Sequence, residues 1–360
     1  MNIAHFIATN FVGGPENQII RHCQALSKQG HKVWLISFDE PGGLSFLGAG
    51  ATVAQSTLAL SPQAGATIGN LRALREYLRQ QQIDLVVAHG YKATILAALA
   101  QYHGGTPAVA FSRGWTSENW KVRLYEWLDK HFIRLHQRII AVSHSQRQRL
   151  IDCGVPAEKI EVVHNAYLTD NLPVRKQESE PSQSVLLCAG RLSPEKGHRY
   201  LIEAFAEVLK QHPRCQLQIA GEGMERSSLE SRAKALGVDD NIEFLGFVEN
   251  MQPLYETAAL FVLPSLSEGL PNVILESYYW SLPVVATRVG GVPEIVEDAR
   301  SGLLCAPEDA QDLARAILQA LDDPQASAQR AQTAQTVLIE RFGIDRQSEL
   351  LLQVYQNVVV

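Results

Sequence analysis

Short apolar runs alternate with longer helix-periodic stretches along this chain, stop once at a polar segment, and then begin again. In the first half, Ile3 to Ala8, Lys32 to Ser37, Asp84 to Ala88, Ala108 to Ser112 and Arg138 to Ser143 read as strands. Pro15 to Gln29 reads as a helix closed by Gly30. Continuous apolar strands spaced by helices imply a parallel sheet covered on both faces. Residues 171 to 184, polar and with two prolines, read as a linker. The alternation restarts with Val185 to Ala189, Gln216 to Ala220, Ile242 to Leu245, Leu260 to Leu263 and Pro283 to Thr287. A chain of 360 residues has room for two domains of ordinary size. The expected architecture is α/β, with Rossmann-like, doubly wound domains at 1–172 and 185–342 joined by 173–184. An amphipathic last helix, about Asp345 to Val358 within 343–360, is expected to pack back on the first domain. Ligands of such sheets bind at the carboxyl ends of the strands, so both domains would present loops to a cleft.

The composition excludes several classes. A hydrophobic share of 46% and a charged share of 19% describe a globular chain, not a disordered one. A net charge of -6 argues against nucleic acid as the main partner. Cys23, Cys153, Cys188, Cys215 and Cys305 are odd in number and contain no C-x-x-C pair, which suits reduced, mostly buried thiols. No apolar stretch approaches the ~20 residues that cross a bilayer. The sequence opens directly on an expected strand, so no signal peptide is expected. The expected location is the cytoplasm.

The most informative segment for chemistry is Ser267 to Glu276, in which Glu268 and Glu276 bracket seven residues. Leu260 to Leu263 is a buried strand that Pro264 ends, and Pro271 suits the first turn of a helix. Glu268 is then expected on the loop at the helix mouth and Glu276 about a turn inside. Eight helical steps span ~12 Å, roughly the reach between two sugar rings across a diphosphate. The amides between the acids lie where a helix N-terminus favours an anion. A nucleotide sugar, with hydroxyls at both ends and phosphates between, has the matching shape.

Two glycine-flanked loops add to this. Gly190-Arg191 and Lys196-Gly197 follow a strand, and two cations five apart on such a loop make a phosphate clamp; solvated surface cations are the plainer alternative. Gly13-Gly14-Pro15-Glu16 lies between the first strand and first helix, where paired glycines let backbone approach a ligand or simply make a turn. It is not the dinucleotide fingerprint, and Asp39 is the only acid near the end of the second strand, so an NAD site is weakly supported. Gly221-Glu222-Gly223 reads as a turn.

Together these motifs resemble the retaining GT-B glycosyltransferases of family 4, also called group 1. Weaker support comes from Ala141 to Ser143, Val163 to Asn165, Phe244 to Val248 and Gly290 to Glu294. The resemblance implies a nucleoside diphosphate sugar as substrate, no cofactor and no metal; the sequence contains no D-x-D. It assigns the chemical step to Arg191, Lys196 and Glu268. Arg191 and Lys196 would neutralise the diphosphate, and Gly190 and Gly14 would approach it through backbone. Glu276 would accept from the ribose hydroxyls. Glu268 would contact the donor sugar, with the backbone of Gly269, Leu270, Pro271, Asn272 and Val273 beside it. Phe247 and Val248 would lie near the base. On the acceptor or sugar side the implied residues are Gly13, His89, Arg113 and Trp115.

One departure stands out. Many family members place a histidine after the strand Ala108 to Phe111, whereas this chain has Ser112-Arg113-Gly114-Trp115. Arginine stays charged and cannot serve as a base. His89, at another strand end, is the alternative, either as a proton shuttle or as a hydrogen-bonded structural histidine. Alternative functions are a nucleotide-sugar epimerase on the same scaffold, or a binding protein without turnover. In Glu118 to Arg138, Trp120, Leu124, Trp127, Leu128, Phe132 and Leu135 recur at helical spacing among basic residues. That stripe is either the core face of a helix or a peripheral contact with an anionic membrane. The expected acceptor is an envelope glycan or glycolipid, such as a lipopolysaccharide core or polysaccharide precursor.

Overall fold

The structure is a computed structural model that describes residues 1–8, 13–39, 45–63, 67–102, 104–114, 120–173 and 184–359, with the side chains of 120–125 excepted. Phe11, Val12, Trp115, the residues before Trp120 in the aromatic stretch, and most of the polar segment 171 to 184 lie outside them. The chain divides into two compact units, Met1–Ala166 with Ile344–Val360, and Tyr167–Gly343.

The first unit contains β1 (Asn2–Ile7), β2 (Lys32–Phe38), β3 (Thr57–Leu60), β4 (Leu85–His89), β5 (Ala108–Ser112), β6 (Arg138–Ala141) and β7 (Ile160–Val162). Among the described residues they form a seven-stranded sheet in the order β3-β2-β1-β4-β5-β6-β7. Every recorded pairing is parallel. β1, β4 and β5 are almost wholly buried, as continuous apolar strands must be when helices cover both faces. The strand order runs outward from β1 to one edge and from β4 to the other. Connections therefore diverge at β1 and β4, and a crevice opens beyond their carboxyl ends. The helix Gly14–Lys28 follows β1, and its first turn is closed by the Gly13 amide donating to Glu16 Oε2 at 3.0 Å. The last helix, Ile344–Val359, packs on that first helix within the same unit, with His22 between Ser348 and Tyr355.

The second unit holds β8 (Val185–Ala189), β9 (Gln216–Ala220), β10 (Ile242–Gly246), β11 (Leu260–Leu263), β12 (Val284–Thr287) and β13 (Leu303–Cys305). Among the described residues they form a six-stranded parallel sheet ordered β10-β9-β8-β11-β12-β13. Here the connections diverge between β8 and β11. Leu186, Leu217, Ile219, Val262 and Val285 from the sheet meet Leu201, Phe205 and Ile317 from the helices to form the core.

The boundary falls before the polar stretch rather than inside it. The Tyr167 amide donates to Phe342 O at 2.8 Å and its ring packs against Tyr279, so residues from 167 onward belong with the second unit. Three edge strands, β3, β7 and β13, were not expected from the apolar pattern. Among the described residues no helix is long and apolar enough to cross a membrane.

Candidate functional site

In the second unit, the topological switch sets the Gly190–Gly197 loop, which leaves β8, beside the Pro264–Pro271 loop, which leaves β11. The Leu266 amide donates to Glu195 O at 2.8 Å across these two loops. Lys196 Nζ then donates to Glu268 Oε1 at 2.6 Å. These side chains, far apart in sequence, meet because their strands are neighbours: Leu260 pairs with Leu186 and Phe261 with Leu187. The pair is largely withdrawn from solvent, with 26% of the Lys196 side chain and 8% of the Glu268 side chain exposed.

Glu268 is positioned from several sides. Ser265, fully buried, donates from Oγ to the same Glu268 Oε1 at 2.7 Å. Ser265 is fixed in turn by Thr287 Oγ1, which donates to its carbonyl at 2.5 Å from the end of β12. Lysine and serine both bond Oε1 of Glu268, and its second oxygen, Oε2, has acceptor capacity of its own. Two glycines make this packing possible. A Cβ on Gly197, at φ +65°, would come within 2.1 Å of Pro264 O, and one on Gly290, at φ +51°, within 1.8 Å of Glu268 O. Both positions demand a left-handed backbone and a close approach that only glycine supplies.

The second acid is anchored differently. Pro271 precedes the helix Asn272–Tyr279, as expected from its fixed φ and missing N–H, and Glu276 sits inside that helix. Tyr255, buried on the short helix Gln252–Thr257, donates from its hydroxyl to Glu276 Oε2 at 2.8 Å. Burial, the Glu276 charge and the hydrogen bond to it raise the Tyr255 pKa far above its ordinary value, so it remains a donor. Phe247, 57% exposed, follows β10 at its carboxyl end, with Val248 half-buried beside it. Arg191 is exposed and Gly190 partly so on the loop after β8. Gly269, Asn272 and Val273 are partly exposed, while Leu270 and Pro271 are buried. Gly221-Glu222-Gly223, read as a turn, braces the cationic loop: the Leu192 amide donates to Glu222 O at 2.8 Å.

The first unit has its own polar cluster at the β1–β4 switch. Gly13 and Gly14 stand at the start of the first helix, exposed to different degrees. Arg113 Nη1 donates to His89 Nδ1 at 2.8 Å, and His89 Nε2 lies 3.1 Å from His5 Nδ1. His89 is buried with both ring nitrogens engaged, the geometry of the structural alternative. Burial, with the Arg113 charge next in weight, pushes its pKa well below the ordinary histidine range. His5 and Ser265 were not singled out in the sequence, although a histidine inside the apolar run Ile3 to Ile7 was a visible signal.

The aromatic stripe of the basic–aromatic helix, Trp120–Phe132, is divided among its described side chains, with Leu128 and Phe132 half-buried. Among its described side chains, and those just after it, Glu126, Asp129 and Ile133 are buried, whereas Trp127 and Leu135 are 57% and 56% exposed. For Trp127 and Leu135 the core-face reading is thus corrected. Glu126 and Asp129 are buried instead, with Tyr91 donating to Glu126 Oε1 at 3.3 Å.

Comparison with known proteins covers both units. Residues 12–170 match the family model described as Glycosyltransferase Family 4, and residues 173–337 match the one described as Glycosyl transferases group 1. The chain is 28% identical over 247 residues to an alpha-D-kanosaminyltransferase of Streptomyces kanamyceticus, a match that spans 65% of this chain and 64% of that protein. It is 26% identical over 335 residues to a Campylobacter jejuni alpha-1,4-N-acetyl-D-galactosaminyltransferase whose name specifies a diNAcBac-PP-undecaprenol-linked acceptor, covering 90% of this chain and 89% of that one. In fold it is similar to Anabaena HepE solved with UDP-glucose, at TM-score 0.87 and 22% identity, covering 99% of this chain and 100% of that one. With both parallel-sheet units matched in order along the sequence, the chain belongs to the GT-B glycosyltransferases of the family 4, group 1 type.

Proposed function

We propose that this protein moves a sugar, with retention of anomeric configuration and without a metal, from a UDP- or GDP-sugar to a hydroxyl of an envelope glycan or glycolipid. The observation that carries the reading is the Lys196–Glu268 pair at the β8–β11 switch, with Tyr255-anchored Glu276 on the adjoining helix. Lys196 has three N–H donors and uses one on Glu268, so it can serve a phosphate oxygen while Glu268 Oε2 accepts from a sugar hydroxyl. Arg191 adds a planar fork and Gly190 a close backbone. Glu276 accepts from the ribose, the Gly269–Val273 segment lies along the sugar and phosphate, and Phe247 and Val248 lie near the base.

In the transfer, the acceptor oxygen bonds to the anomeric carbon while the bond from that carbon to the phosphate oxygen breaks. The electron pair of the broken bond goes to the phosphate, which also takes the acceptor proton. Lys196 and Arg191 stabilise the charge that builds there, the electrostatic part a metal plays elsewhere. No protein base is needed, and Arg113, which stays charged, relays no proton.

Relatives support the acceptor class. One acts on a lipid-diphosphate-linked glycan by its name, and the exposed Trp127 and Leu135, with Lys130 and Arg134 on the same helical stretch, suit peripheral contact with an anionic membrane at its cytoplasmic face. The test is product analysis by NMR with UDP- and GDP-sugars and lipid-linked glycan acceptors. A product with the donor's anomeric configuration supports the reading; an isomerised nucleotide sugar formed without acceptor would replace it with epimerase chemistry.

A further inference from the structure

Arg113 is a partly buried guanidinium whose hydrogen bond, among the described residues, goes to a neutral ring rather than to a carboxylate. Its Nη1 donates to His89 Nδ1, its Cζ lies 4.8 Å from the centre of the Phe111 ring, and among the described residues its Nε is buried without a partner. Burial pulls its pKa down to about 10, partly offset by the field of Glu16. One oxygen of that carboxylate, Oε2, accepts from the Gly13 amide. Holding a desolvated cation without a hydrogen-bonded counter-anion is costly. Such a residue at the carboxyl end of a strand marks a binding site better than a structural one.

The neighbouring rings fix its direction. Arginine only donates, so His89 Nδ1 must accept and the His89 proton sits on Nε2. That N–H donates to His5 Nδ1, which places the His5 proton on Nε2, an atom buried without a partner. His89 is stacked on Phe111 at 4.9 Å and on His5 at 5.4 Å, so the ring that orients Arg113 cannot easily turn. A water-sized cavity of about 10 Å³ behind it is lined by Gln18, His22, His89, Arg113, Asn165 and Gln347, with Ile19, Phe111 and Leu351, all within the first unit, so an anion meets Arg113 on its exposed side and not in this cavity. The lining offers amides and neutral rings along with one cation.

Resting on the transferase reading above, we infer that Arg113 is an anion receptor in the first unit, binding a phosphate or carboxylate carried by the acceptor. His89, and His5 behind it, are positioning residues that aim the guanidinium. A bidentate bond from the fork to two anionic oxygens gives both charge neutralisation and orientation. The arginine then selects acceptors by charge.

The test is NMR on the full chain labelled with ¹⁵N-arginine and ¹⁵N-histidine, titrated with inorganic phosphate, with glucuronate and with neutral methyl glucoside. The Arg113 Nε–H and His89 ring signals are expected to shift with one or both anions and not with methyl glucoside. A response to phosphate alone assigns a phosphate-bearing acceptor, and a response to glucuronate alone an acidic sugar. Arg113→Lys, which keeps the charge but loses the fork, should weaken the dissociation constant about tenfold or more. His89→Gln, whose carbonyl can accept from Arg113, should keep the response, and His89→Phe should lose it. Signals unmoved by either anion overturn the inference. UDP and GDP titrations of the same sample separate the two readings: nucleotide binding with a silent Arg113 sinks only the anion site. Absence of nucleotide binding sinks the transferase reading itself.

Discussion

Lys196 Nζ and Glu268 Oε1 lie 2.6 Å apart, joining the loop that leaves β8 to the loop that leaves β11. The carboxylate is also held by Ser265 on the same oxygen, so the lysine is the partner free to shift toward an incoming phosphate. Lys196→Ala should lower turnover at least about a hundredfold, the scale of losing one charge-stabilising group. It should also destabilise the fold by about 2 kcal/mol, because a mostly buried carboxylate loses its cation. Glu268→Gln keeps the neutral hydrogen bonds and should cost less stability than Lys196→Ala. Turnover assays and urea denaturation check both; equal stability in Lys196→Ala and the parent contradicts the account.

Tyr255→Phe isolates the anchoring of Glu276. The ring stays in its buried place, and only the hydroxyl that donates to Glu276 Oε2 is lost. The expected effects are a stability loss of about 1 kcal/mol and a nucleotide dissociation constant several-fold weaker. Calorimetric titration reads the second effect directly, and an unchanged constant contradicts the role given to Tyr255.

Gly290→Ala should be severe for a local reason. The added methyl meets the Glu268 carbonyl oxygen at 1.8 Å and the backbone is left-handed at φ +51°. A stability loss of about 2–4 kcal/mol is expected, from strain and displacement together. Gly197→Ala, with its methyl 2.1 Å from Pro264 O, should behave alike. Thermal unfolding of the two variants tests this, and melting temperatures within a degree or so of the parent (a shift well below 1 kcal/mol) would count against it.

Acid should unfold the protein through its buried histidines. Burial lowers the pKa of His22 to about 3, and burial with the Lys196 charge lowers that of His198 to about 4. His5 and His89 are also held well below the ordinary value, mainly by burial. Below a pH of about 6.5 the unfolded chain takes up protons that the folded chain refuses. The stability is therefore full above that value and lost as pH falls toward 4, at up to about 1.4 kcal/mol per pH unit for each histidine. The melting temperature should stay level from about pH 7 to 8 and drop steeply between about pH 6.5 and 4.5; a level curve through that lower interval contradicts the assignment of these rings as neutral.

The central strands were legible because burial on both faces writes them as unbroken apolar runs; Val185 to Ala189 and Leu260 to Leu263 were read to the residue. β3 and β7 were not, since Thr57–Leu60 and Ile160–Val162 are short edge strands with exposed positions and carry little apolar signal. The placement of Glu268 on the loop and Glu276 in the helix was legible because two prolines and a strand punctuate their segment. Tyr255 stayed hidden: it reaches Glu276 only through the fold, from a helix of six residues that looks like any loop. The His5–His89–Arg113 chain was half legible. Each residue lies on or next to an apolar strand, but their contact depends on β1, β4 and β5 being neighbours, which strand order decides and local pattern does not.

The most direct measurement is calorimetric titration of UDP and GDP onto the parent protein and Glu276→Ala, with a chelator present to remove divalent cations. The account predicts saturable one-to-one binding of at least one nucleotide despite the chelator, weakened about tenfold or more in Glu276→Ala. Equal binding by the parent and Glu276→Ala, or binding that appears only when a divalent cation is restored, contradicts it.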